Sequence, residues 1–323
     1  MKILVTGCAG FIGYHVVLKL LSSNKNNIFG IDNLNNYYDI GLKRNRLKNL
    51  RKNKKFVFKK LDINNFNGTK KLFSKNKFDV VIHLAAQAGV RYSIHNPKVY
   101  FDSNISGFFN IIENSRLNKI KHLIFASTSS VYGDTNKYPL KEEYNTDKPL
   151  SFYAASKKAN EVIAYSYSNI YKLPTTALRF FTVYGPMGRP DMSLFLFTKA
   201  MLKNKKLNIF NRGKHVRDFT YISDVVECIF RIINKPSKNK IPYEVYNIGS
   251  NRPKKLMAFL RIISNNINKK PKIIYKSLQK GDVYKTHADT KKLSRAINFR
   301  PSTSIQQGIE KFIRWYKIYH NIK

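Results

Sequence analysis

A run of hydroxyl-bearing residues, STSSVYG, occupies positions 127–133 directly after the apolar stretch HLIFA. It sets Ser127, Thr128, Ser129 and Ser130 side by side, with Tyr132 close behind and no carboxylate among them. The apolar stretch predicts a buried strand, and ligands of open α/β sheets bind beyond the carboxyl ends of the strands. The run therefore predicts contacts to the oxygens of a polar substrate. A simple cap on the strand end is the alternative.

A tyrosine and a lysine four residues apart, Tyr153 and Lys157 in YAASK, form a second candidate group. Residues i and i+4 share one face of a helix. An ammonium close to a phenol favours the phenolate and lowers the phenol pKa from about 10. Such a tyrosine can serve as a general base near neutral pH. Because the spacing alone is common, a solvated helix face is the alternative.

The N-terminal segment TGCAGFIG sets Gly7, Gly10 and Gly13 between a strand pattern and a helix pattern. This context predicts a tight turn whose backbone approaches a dinucleotide pyrophosphate at the helix N-terminus. Asp32 ends the next strand pattern, where an acid accepts from a ribose 2′-OH and repels a 2′-phosphate. The pattern therefore predicts NAD rather than NADP. Asp62, which ends the third strand pattern, faces the adenine or else belongs to a strand-end turn.

These groups require a scaffold that brings strand ends together, and the first half of the chain alternates strand and helix patterns. Strand patterns cover residues 2–6, 27–32, 56–62, 79–85, 122–127 and 174–185, and helix patterns cover 11–23, 103–117 and 153–172. The alternation predicts an α/β fold with a Rossmann-type, doubly wound parallel sheet. We expect an NAD-binding domain over residues 1–185, with its sheet completed by segments from about 211–250. Residues 186–323 are expected to form mainly a smaller C-terminal lobe for the substrate.

The chain has 323 residues and a formal net charge of +40, from 59 lysines and arginines against 19 acidic residues. Basic proteins are drawn to nucleic-acid phosphates, but a nucleic-acid site requires the charge to cluster on one face. Here lysine is spread along the chain and asparagine is overused with it, as an A/T-rich genome produces. We therefore expect no specific nucleic-acid partner.

The remaining composition argues against metal, disulfide and membrane chemistry. The two cysteines are far apart in sequence and the seven histidines do not cluster at ligand spacing, so neither a disulfide framework nor a metal site is expected. No apolar run approaches the roughly 20 residues of a membrane span. The N-terminus lacks the apolar region of a signal peptide. We expect a cytoplasmic protein.

The combined motifs resemble those of the extended short-chain dehydrogenase/reductase family, which shares TGxxGxxG, the strand-end Asp, a Ser/Thr after the fifth strand and YxxxK. Longer words narrow the resemblance to its nucleotide-sugar epimerases, and within them to the UDP-glucuronate 4-epimerases. These words are GIDNLNNYYD (30–39), HLAAQAGVRYS (83–93), SFYAASKKANE (151–161), LRFFTVYGPMGRPDM (178–192) and VRDFTYISDV (216–225). The resemblance covers essentially the whole chain. One departure is Lys280 in LQKGD, where the family usually has proline.

The resemblance implies an NAD-dependent reaction in which sugar C4 loses a hydride, becomes a transient ketone and regains the hydride on its other face. It implies that Tyr153 removes the 4-OH proton, that Lys157 tunes it and that Thr128 hydrogen-bonds the same oxygen. Related dehydratases carry Asp-Glu after this threonine and related decarboxylases carry a nearby Glu, where this chain has Ser129 and Ser130. Epimerisation of UDP-glucuronate to UDP-galacturonate is therefore expected. UDP-glucose or another nucleotide sugar is the alternative substrate.

A carboxylate at sugar C6 has its own expected partners. Thr182 stands where many related enzymes carry Asn, so it leaves room for the carboxylate and can donate to it. Ser129 and Ser130 can donate as well. Arg189 can add positive charge, with a surface loop arginine as the alternative.

The resemblance also implies contacts to the nucleotide, the cofactor and a partner subunit. Arg217 is expected at the UDP pyrophosphate, and Arg91, Asn104 and Asp282 are further UDP candidates. The residues expected around NAD are Gly7, Gly10, Phe11, Ile12, Gly13, Asp32, Asn33, Asp62, Ile63, Leu84, Ala85, Ala86, Tyr153 and Lys157. A homodimer is expected through the helices near 103–117 and 153–172, whose apolar residues lie on more than one face.

Overall fold

The computed structural model describes residues 1–23 and 25–322. Its strands are β1 (Lys2–Thr6), β2 (Asn27–Asp32), β3 (Phe56–Lys60), β4 (Val80–His83), β5 (His122–Thr128), β6 (Thr175–Phe180), β7 (Thr182–Tyr184), β8 (Lys206–Ile209), β9 (Val216–Arg217), β10 (Phe219–Tyr221), β11 (Tyr243–Ile248), β12 (Lys254–Lys255) and β13 (Lys272–Tyr275). Its α-helices are α1 (Phe11–Leu21), α2 (Ile40–Leu50), α3 (Phe66–Lys75), α4 (Val90–His95), α5 (Pro97–Tyr100), α6 (Gly107–Leu117), α7 (Phe152–Tyr171), α8 (Ser193–Leu202), α9 (Ile222–Ile232), α10 (Leu256–Ile267), α11 (Lys291–Ile297) and α12 (Ile305–Tyr319).

Seven strands of the described residues form one sheet in the order β11-β6-β5-β4-β1-β2-β3. All its pairings are parallel. This confirms the predicted Rossmann-type, doubly wound α/β fold. The central strands β4, β5 and β6 are almost wholly buried, as expected when helices cover both faces of a parallel sheet. The strand order reverses direction at β1 and β4, which opens a crevice beyond their carboxyl ends.

Alternate side chains of each strand enter two separate apolar layers. Ile3 and Val5 of β1 pack in the layer that contains α1 and α9, whereas Leu4 packs in the layer that contains α3, α6 and α7. The two-residue period of a strand produces this division. The sheet is thereby fixed between helices, and its strand ends become a rigid platform for side chains.

Two elements differ from the sequence expectations. The predicted strand over 174–185 divides at Phe181 into β6 and β7, and β7 leaves the main sheet to pair with β10. The first four positions of the helix expected over 103–117 belong to a π-helical turn, Phe101–Ser106, and α6 begins only at Gly107. The late strand β11 lies at the sheet edge beside β6. The division of the chain at residue 185 into two domains stays a prediction.

Residues 1–23 and 25–322 contain neither a membrane-spanning helix nor a metal-binding cluster. No helix there is long and apolar enough to cross a membrane. No group of three or more His, Cys, Asp or Glu side chains there could hold a metal ion. Cys8 and Cys228 are both buried free thiols.

Candidate active site

A cavity of about 870 Å³ opens at the carboxyl ends of the central strands. The glycine turn, the hydroxyl run and the start of α7 all contribute to its walls. The predicted site residues that line it are Gly7, Gly10, Phe11, Ile12, Gly13, Asp32, Asn33, Asp62, Ile63, Leu84, Ala85, Ala86, Arg91, Thr128, Ser129, Ser130, Tyr153, Lys157, Thr182, Arg189, Arg217 and Asp282. The fold therefore joins groups that lie up to 275 positions apart, from Gly7 to Asp282.

The glycine positions of the turn between β1 and α1 leave no room for a side chain. Gly7 has a left-handed φ of +70°, and a Cβ there would lie 2.7 Å from the Ala85 nitrogen. A Cβ on Gly13 would lie 2.1 Å from the Gly7 carbonyl oxygen. The turn thus leaves the N-terminus of α1 bare, in the form that binds a pyrophosphate.

Asp32 lies at the end of β2 with its carboxylate fixed toward this turn. Its Oδ2 accepts from the Ala9 N–H (3.1 Å) and its Oδ1 accepts from the Leu34 N–H (2.8 Å). Burial raises the pKa of Asp32, and the two hydrogen bonds partly oppose this rise. Beside it, the Asn33 amide donates to Asp62 Oδ2 at 2.9 Å. Both predicted acids therefore lie on the same rim of the cavity.

Sequence reasoning missed two cations on α2. Lys43 lines the cavity and donates to the Asn35 carbonyl and side-chain oxygens (2.8 and 2.7 Å). Arg46 lies wholly buried behind the glycine turn. The signal was available in GLKRNRL, where Leu42 and Leu47 mark the buried helix face and Lys43 and Arg46 fall beside them at helical spacing.

The hydroxyl run folds into a tight turn directly after β5. Thr128 caps the short 3₁₀ turn Ser129–Tyr132: its Oγ1 accepts from the Ser130 N–H (3.2 Å) and donates to Ser130 Oγ (3.2 Å). Ser129 and Ser130 both line the cavity. The predicted cap and the predicted cavity position are therefore both present, because the cap turns the hydroxyls toward the crevice.

Tyr153 and Lys157 enter the same cavity from the first turns of α7. Burial raises the pKa of Tyr153, and a side-chain hydrogen bond with Thr128 and the charge of Arg189 oppose this rise. Burial alone lowers the pKa of Lys157 to about 7. Desolvation is therefore the largest influence on the pKa of both groups, and the expectation that Lys157 lowers the Tyr153 pKa stays a prediction.

A buried ion pair holds α7 against the strands behind this site. Arg179 of β6 donates through Nε and Nη2 to the two Glu161 oxygens (2.9 and 2.8 Å). Ser127 Oγ donates to Glu161 Oε1 at 2.6 Å. Ser127 thus faces the interior, while its neighbour Thr128 serves the cavity. Glu161 lies on the same helix as Tyr153 and fixes that helix to β5 and β6.

Thr182 and Arg189 lie on a further wall of the cavity, after β6. Arg189 donates through Nε and Nη2 to the Asp191 oxygens (3.0 and 2.5 Å), and the Tyr37 hydroxyl donates to Asp191 Oδ2 at 3.2 Å. Arg189 is therefore a fixed side chain of the cavity wall. Its positive charge opposes the rise that burial causes in the pKa of Tyr153.

At the end of the cavity away from the glycine turn, two arginines lie around one carboxylate. Arg91 donates to Asp282 Oδ2 (3.3 Å), and Arg217 Nη2 lies 3.8 Å from Asp282 Oδ1. Arg217 also donates to the Val283 and Tyr284 carbonyl oxygens (2.8 and 2.9 Å). This end offers guanidinium groups to an anionic nucleotide. His215, which sequence reasoning missed, lies beside Arg217 (3.3 Å).

The departure at Lys280 leaves the local turn intact. The Asp282 N–H donates to the Gln279 carbonyl oxygen at 3.3 Å, and Gly281 adopts a left-handed φ of +77°. Lys280 therefore occupies the second position of a closed four-residue turn, which places Asp282 in the cavity without a proline.

The amino-acid sequence agrees with one family profile over most of its length. The profile of the NAD dependent epimerase/dehydratase family matches residues 3–249. The chain belongs to the NAD dependent epimerase/dehydratase family. This confirms the predicted extended short-chain dehydrogenase/reductase membership and the predicted cofactor, NAD.

Known relatives cover almost the whole chain. The protein CapI of Staphylococcus aureus is 49% identical over 334 residues, covering 99% of each sequence. A UDP-glucuronate 4-epimerase of Thermodesulfobacterium geofontis is 42% identical over 97% of this chain and 95% of its own length. The crystal structure of UDP-glucuronic acid 4-epimerase from Bacillus cereus, in complex with UDP-glucuronic acid and NAD, superposes with a TM-score of 0.93 at 34% identity over 99% of this chain and 100% of that one. These matches confirm the predicted NAD-dependent nucleotide-sugar 4-epimerase.

The side chains and turns of this family member fit NAD. The bare N-terminus of α1 suits the pyrophosphate, and Asp32 suits a ribose hydroxyl. Lys157 is only 2% exposed and burial alone acts on its pKa. A ligand with oxygen acceptors beside this ammonium would stabilise its charged form.

Asn104 does not reach the cavity, unlike the other predicted substrate residues. It is 1% exposed, its Oδ1 accepts from the Gln87 N–H (2.8 Å), and its Nδ2 donates to the Gln87 carbonyl and to Ser156 Oγ (3.0 Å each). Because its whole amide is used inside the protein, the expected UDP contact is wrong. Asn104 instead fixes Gln87, which lines the cavity.

Proposed function

We propose that this NAD-dependent nucleotide-sugar 4-epimerase interconverts UDP-glucuronate and UDP-galacturonate. The observation that carries the proposal is the set of hydroxyl side chains that line the cavity, Thr128, Ser129, Ser130 and Thr182, with no carboxylate in the hydroxyl run and with Arg189 on the same cavity. These hydroxyls donate hydrogen bonds to sugar oxygens, and Arg189 meets an anionic C6 group with a cation.

The reaction begins with proton removal at the sugar 4-OH. Tyr153 accepts that proton, and Thr128, whose hydroxyl lies near the Tyr153 phenol, holds the same oxygen. When bound, NAD supplies a reversible acceptor for the C4 hydride. The Lys157 ammonium favours the phenolate of Tyr153 once its charged form is stabilised. The sugar then passes through a 4-keto form and is reduced on its opposite face.

The absence of a carboxylate beside Thr128 directs the keto sugar back to epimerisation. Loss of water from the sugar needs a group that delivers a proton to the departing hydroxyl. Ser129 and Ser130 are poor acids at neutral pH and can only hydrogen-bond. The 4-keto sugar therefore keeps its substituents until the hydride returns.

The C6 carboxylate of a 4-keto glucuronate is at risk of decarboxylation. Loss of CO₂ requires the breaking C–C bond to align with the ketone π system. Hydrogen bonds from Thr182, Ser129 and Ser130 can hold the carboxylate out of this alignment. Arg189 adds charge, although Asp191 already neutralises part of it. UDP-glucose, whose C6 carries a hydroxymethyl group, is the alternative substrate.

The UDP half of the substrate fits the far end of the cavity. Arg217 is the proposed pyrophosphate ligand, with Arg91 beside it, and Asp282 is positioned to accept from the uridine ribose. The surrounding +40 net charge attracts an anionic nucleotide over long range. We propose no specific nucleic-acid partner, because a positive charge spread over the whole protein attracts anions without contacts to particular bases.

We also propose a homodimer formed by α6 and α7. Phe109 of α6 and Val162 and Tyr165 of α7 are exposed by 45%, 57% and 48%. The opposite faces of these helices pack on the sheet through Phe108, Ile111 and Ala164. A second copy would cover the outer apolar face. A cytoplasmic location remains a prediction.

The test of the proposed function is incubation of the purified protein with a panel of UDP-sugars, followed by separation of the products. We expect UDP-galacturonate from UDP-glucuronate, and the reverse conversion. Turnover of UDP-glucose alone would replace the proposal with the alternative epimerase. No turnover of any UDP-sugar would favour a non-catalytic NAD-binding protein.

A further inference from the structure

One buried arginine joins the cofactor turn to the loop that faces the sugar. Arg46 is 0% exposed. Its Nη1 donates to the Ala9 carbonyl oxygen and to the Tyr38 hydroxyl (2.8 Å each). Its Nη2 donates to the Met187 carbonyl oxygen (2.6 Å) and, at longer range, to that of Gly188 (3.4 Å). A single guanidinium therefore connects three segments of the chain.

On the cofactor side, the contact fixes the glycine turn itself. The Ala9 N–H donates to Asp32 Oδ2 (3.1 Å), while the Ala9 carbonyl accepts from Arg46. Ala9 lies between Gly7 and Gly10. Both polar groups of this residue are thus held, and the turn that receives the pyrophosphate depends on Arg46 for its shape.

On the substrate side, the contact fixes the backbone directly before Arg189. Met187 adopts a left-handed φ of 56°, which a β-carbon residue holds only when its surroundings impose it. The neighbouring Pro186 carbonyl accepts from His15 Nε2 at 2.9 Å, and burial lowers the pKa of His15 to about 4, so this donor stays neutral. Helices α1 and α2 therefore both anchor the loop.

Packing alone does not account for a guanidinium at this position. The partners of Arg46 are carbonyl oxygens and a phenol, and its Nε has no partner among the residues that the structure describes. Asp32 lies close enough for its carboxylate to interact with the charge of Arg46, but no carboxylate among the described residues bonds this guanidinium directly. Burying such a cation is costly, and replacing a buried charged group by an apolar side chain of similar size is often neutral or stabilising. The contribution of Arg46 lies in the connection that its hydrogen bonds make.

We propose that Arg46 is a positioning residue that couples NAD binding to the loop at sugar C6, so that each ligand strengthens the binding of the other. The coupling rests on the proposed function, since its two ligands are NAD and UDP-glucuronate. Such coupling is reciprocal, and typical values change affinity 5- to 150-fold. Arg46 touches neither the substrate nor the reacting atoms, so its effect falls on binding rather than on the chemical step.

The test is exchange of bound NAD for labelled NAD in the holoenzyme, with and without saturating UDP-glucuronate. In the unmodified enzyme the sugar nucleotide should slow exchange about 5- to 150-fold. Arg46→Lys keeps the cation but cannot span both carbonyl groups. This variant should lose most of the slowing and raise KM for UDP-glucuronate, with kcat nearly unchanged. Arg44→Lys, on the exposed face of α2, is the matched control and should behave like the unmodified enzyme.

The coupling would be overturned if UDP-glucuronate slowed NAD exchange in Arg46→Lys as much as in the unmodified enzyme and KM were also unchanged. A lower melting temperature with both quantities unchanged in the folded fraction would overturn it too, since that pattern indicates packing only. Hydrogen exchange of the unmodified holoenzyme tests the coupling without any variant: UDP-glucuronate should protect the amides of residues 9–10 as well as those of 187–189, and protection of the latter alone contradicts it. If the unmodified enzyme does not turn over UDP-glucuronate, the proposed function fails, and the same comparison is made with the UDP-sugar that it does use.

Discussion

The two halves of the cavity are built in different ways. The cofactor half is centred on a glycine turn and one acid within the first 32 residues, and the ends of the next two strands add Asp62, Ile63 and residues 84–86. The sugar half is formed by side chains from segments far apart in the chain, including Thr128, Thr182 and Arg217. A site built from backbone can be inferred from a short local pattern. A site built from distant side chains depends on the topology that gathers them.

The two halves also differ in how their charges are balanced. In the cofactor half, Asp32 is buried and its pKa is raised, with Lys43 close enough to oppose that rise. In the sugar half, the carboxylates Asp191 and Asp282 are each paired with arginines, and the hydroxyl run holds none. We propose that the cofactor half thereby selects a neutral ribose edge, and that the sugar half presents donors and cations to an anion.

The largest effect should come from the base of the sugar half. Tyr153→Phe keeps the ring and removes the phenol, so kcat should fall by roughly 10²–10⁴-fold, the usual contribution of a general base. Tyr275→Phe, a 55% exposed tyrosine on β13, should leave kcat unchanged. Near-normal turnover by the Tyr153 variant would remove this residue from the mechanism.

The same contrast explains what could be inferred from the sequence. The strand–turn–helix context of Gly7, Gly10 and Gly13 is local, so the cofactor turn and Asp32 were both predicted to line the site, as they do. The buried face of α2 that carries Lys43 and Arg46 could have been read from GLKRNRL, but the Arg46 partners Ala9 and Met187 become its neighbours only after the chain folds.

The predicted contact between Asn104 and UDP was wrong for a related reason. A buried amide that serves Gln87 and a ligand-binding amide look the same in a sequence. The split between β6 and β7 was missed as well, because an unbroken apolar pattern does not show where a strand changes sheets.

The next effect should appear in the cofactor half. Asp32→Asn removes a charged acceptor, and hydrogen bonds to charged groups contribute about 1.5–3 kcal/mol, so NAD affinity should fall roughly 10- to 100-fold. Discrimination against NADP should weaken too. Asp134→Asn, on an exposed loop, is the control. Cofactor released by denaturing the unmodified protein should be NAD(H); chiefly NADP(H) would show that Asp32 does not select the ribose.

A smaller effect is expected at the wall that faces sugar C6. Thr182→Val keeps the shape and removes a donor worth about 0.5–1.5 kcal/mol, so kcat/KM for UDP-glucuronate should fall a few-fold to about tenfold. Decarboxylated sugar should appear among the products. Thr182→Ser restores the hydroxyl and should recover most of the loss. Equal activity of the valine and serine variants would contradict a donor role.

A separate effect, on stability rather than on activity, concerns the scaffold beneath both halves. Burial lowers the pKa of His15 and His122 to about 4 and that of His83 to about 3. Below the ordinary histidine pKa of about 6.5, these histidines bind protons in the unfolded chain but stay neutral in the folded protein. The free energy of unfolding must therefore fall as the pH drops. Each histidine lowers the free energy of unfolding by up to about 1.4 kcal/mol per pH unit below pH 6.5.

Thermal unfolding measured from pH 7.5 to 5 should show a midpoint that declines below about pH 6.5. His122→Asn should flatten the decline, even if it lowers the midpoint at pH 7.5. A midpoint that stays constant or rises on acidification would mean that these histidines become protonated inside the fold.

The most direct measurement for the sugar half is kcat/KM for UDP-glucuronate and for UDP-glucose on the unmodified enzyme. A site whose donors are arranged for a carboxylate leaves them poorly paired when the anion is replaced, which can cost orders of magnitude. We therefore expect UDP-glucuronate to be preferred by at least about 100-fold. Equal or faster turnover of UDP-glucose would contradict the assignment of Thr182, Ser129, Ser130 and Arg189 to a C6 carboxylate.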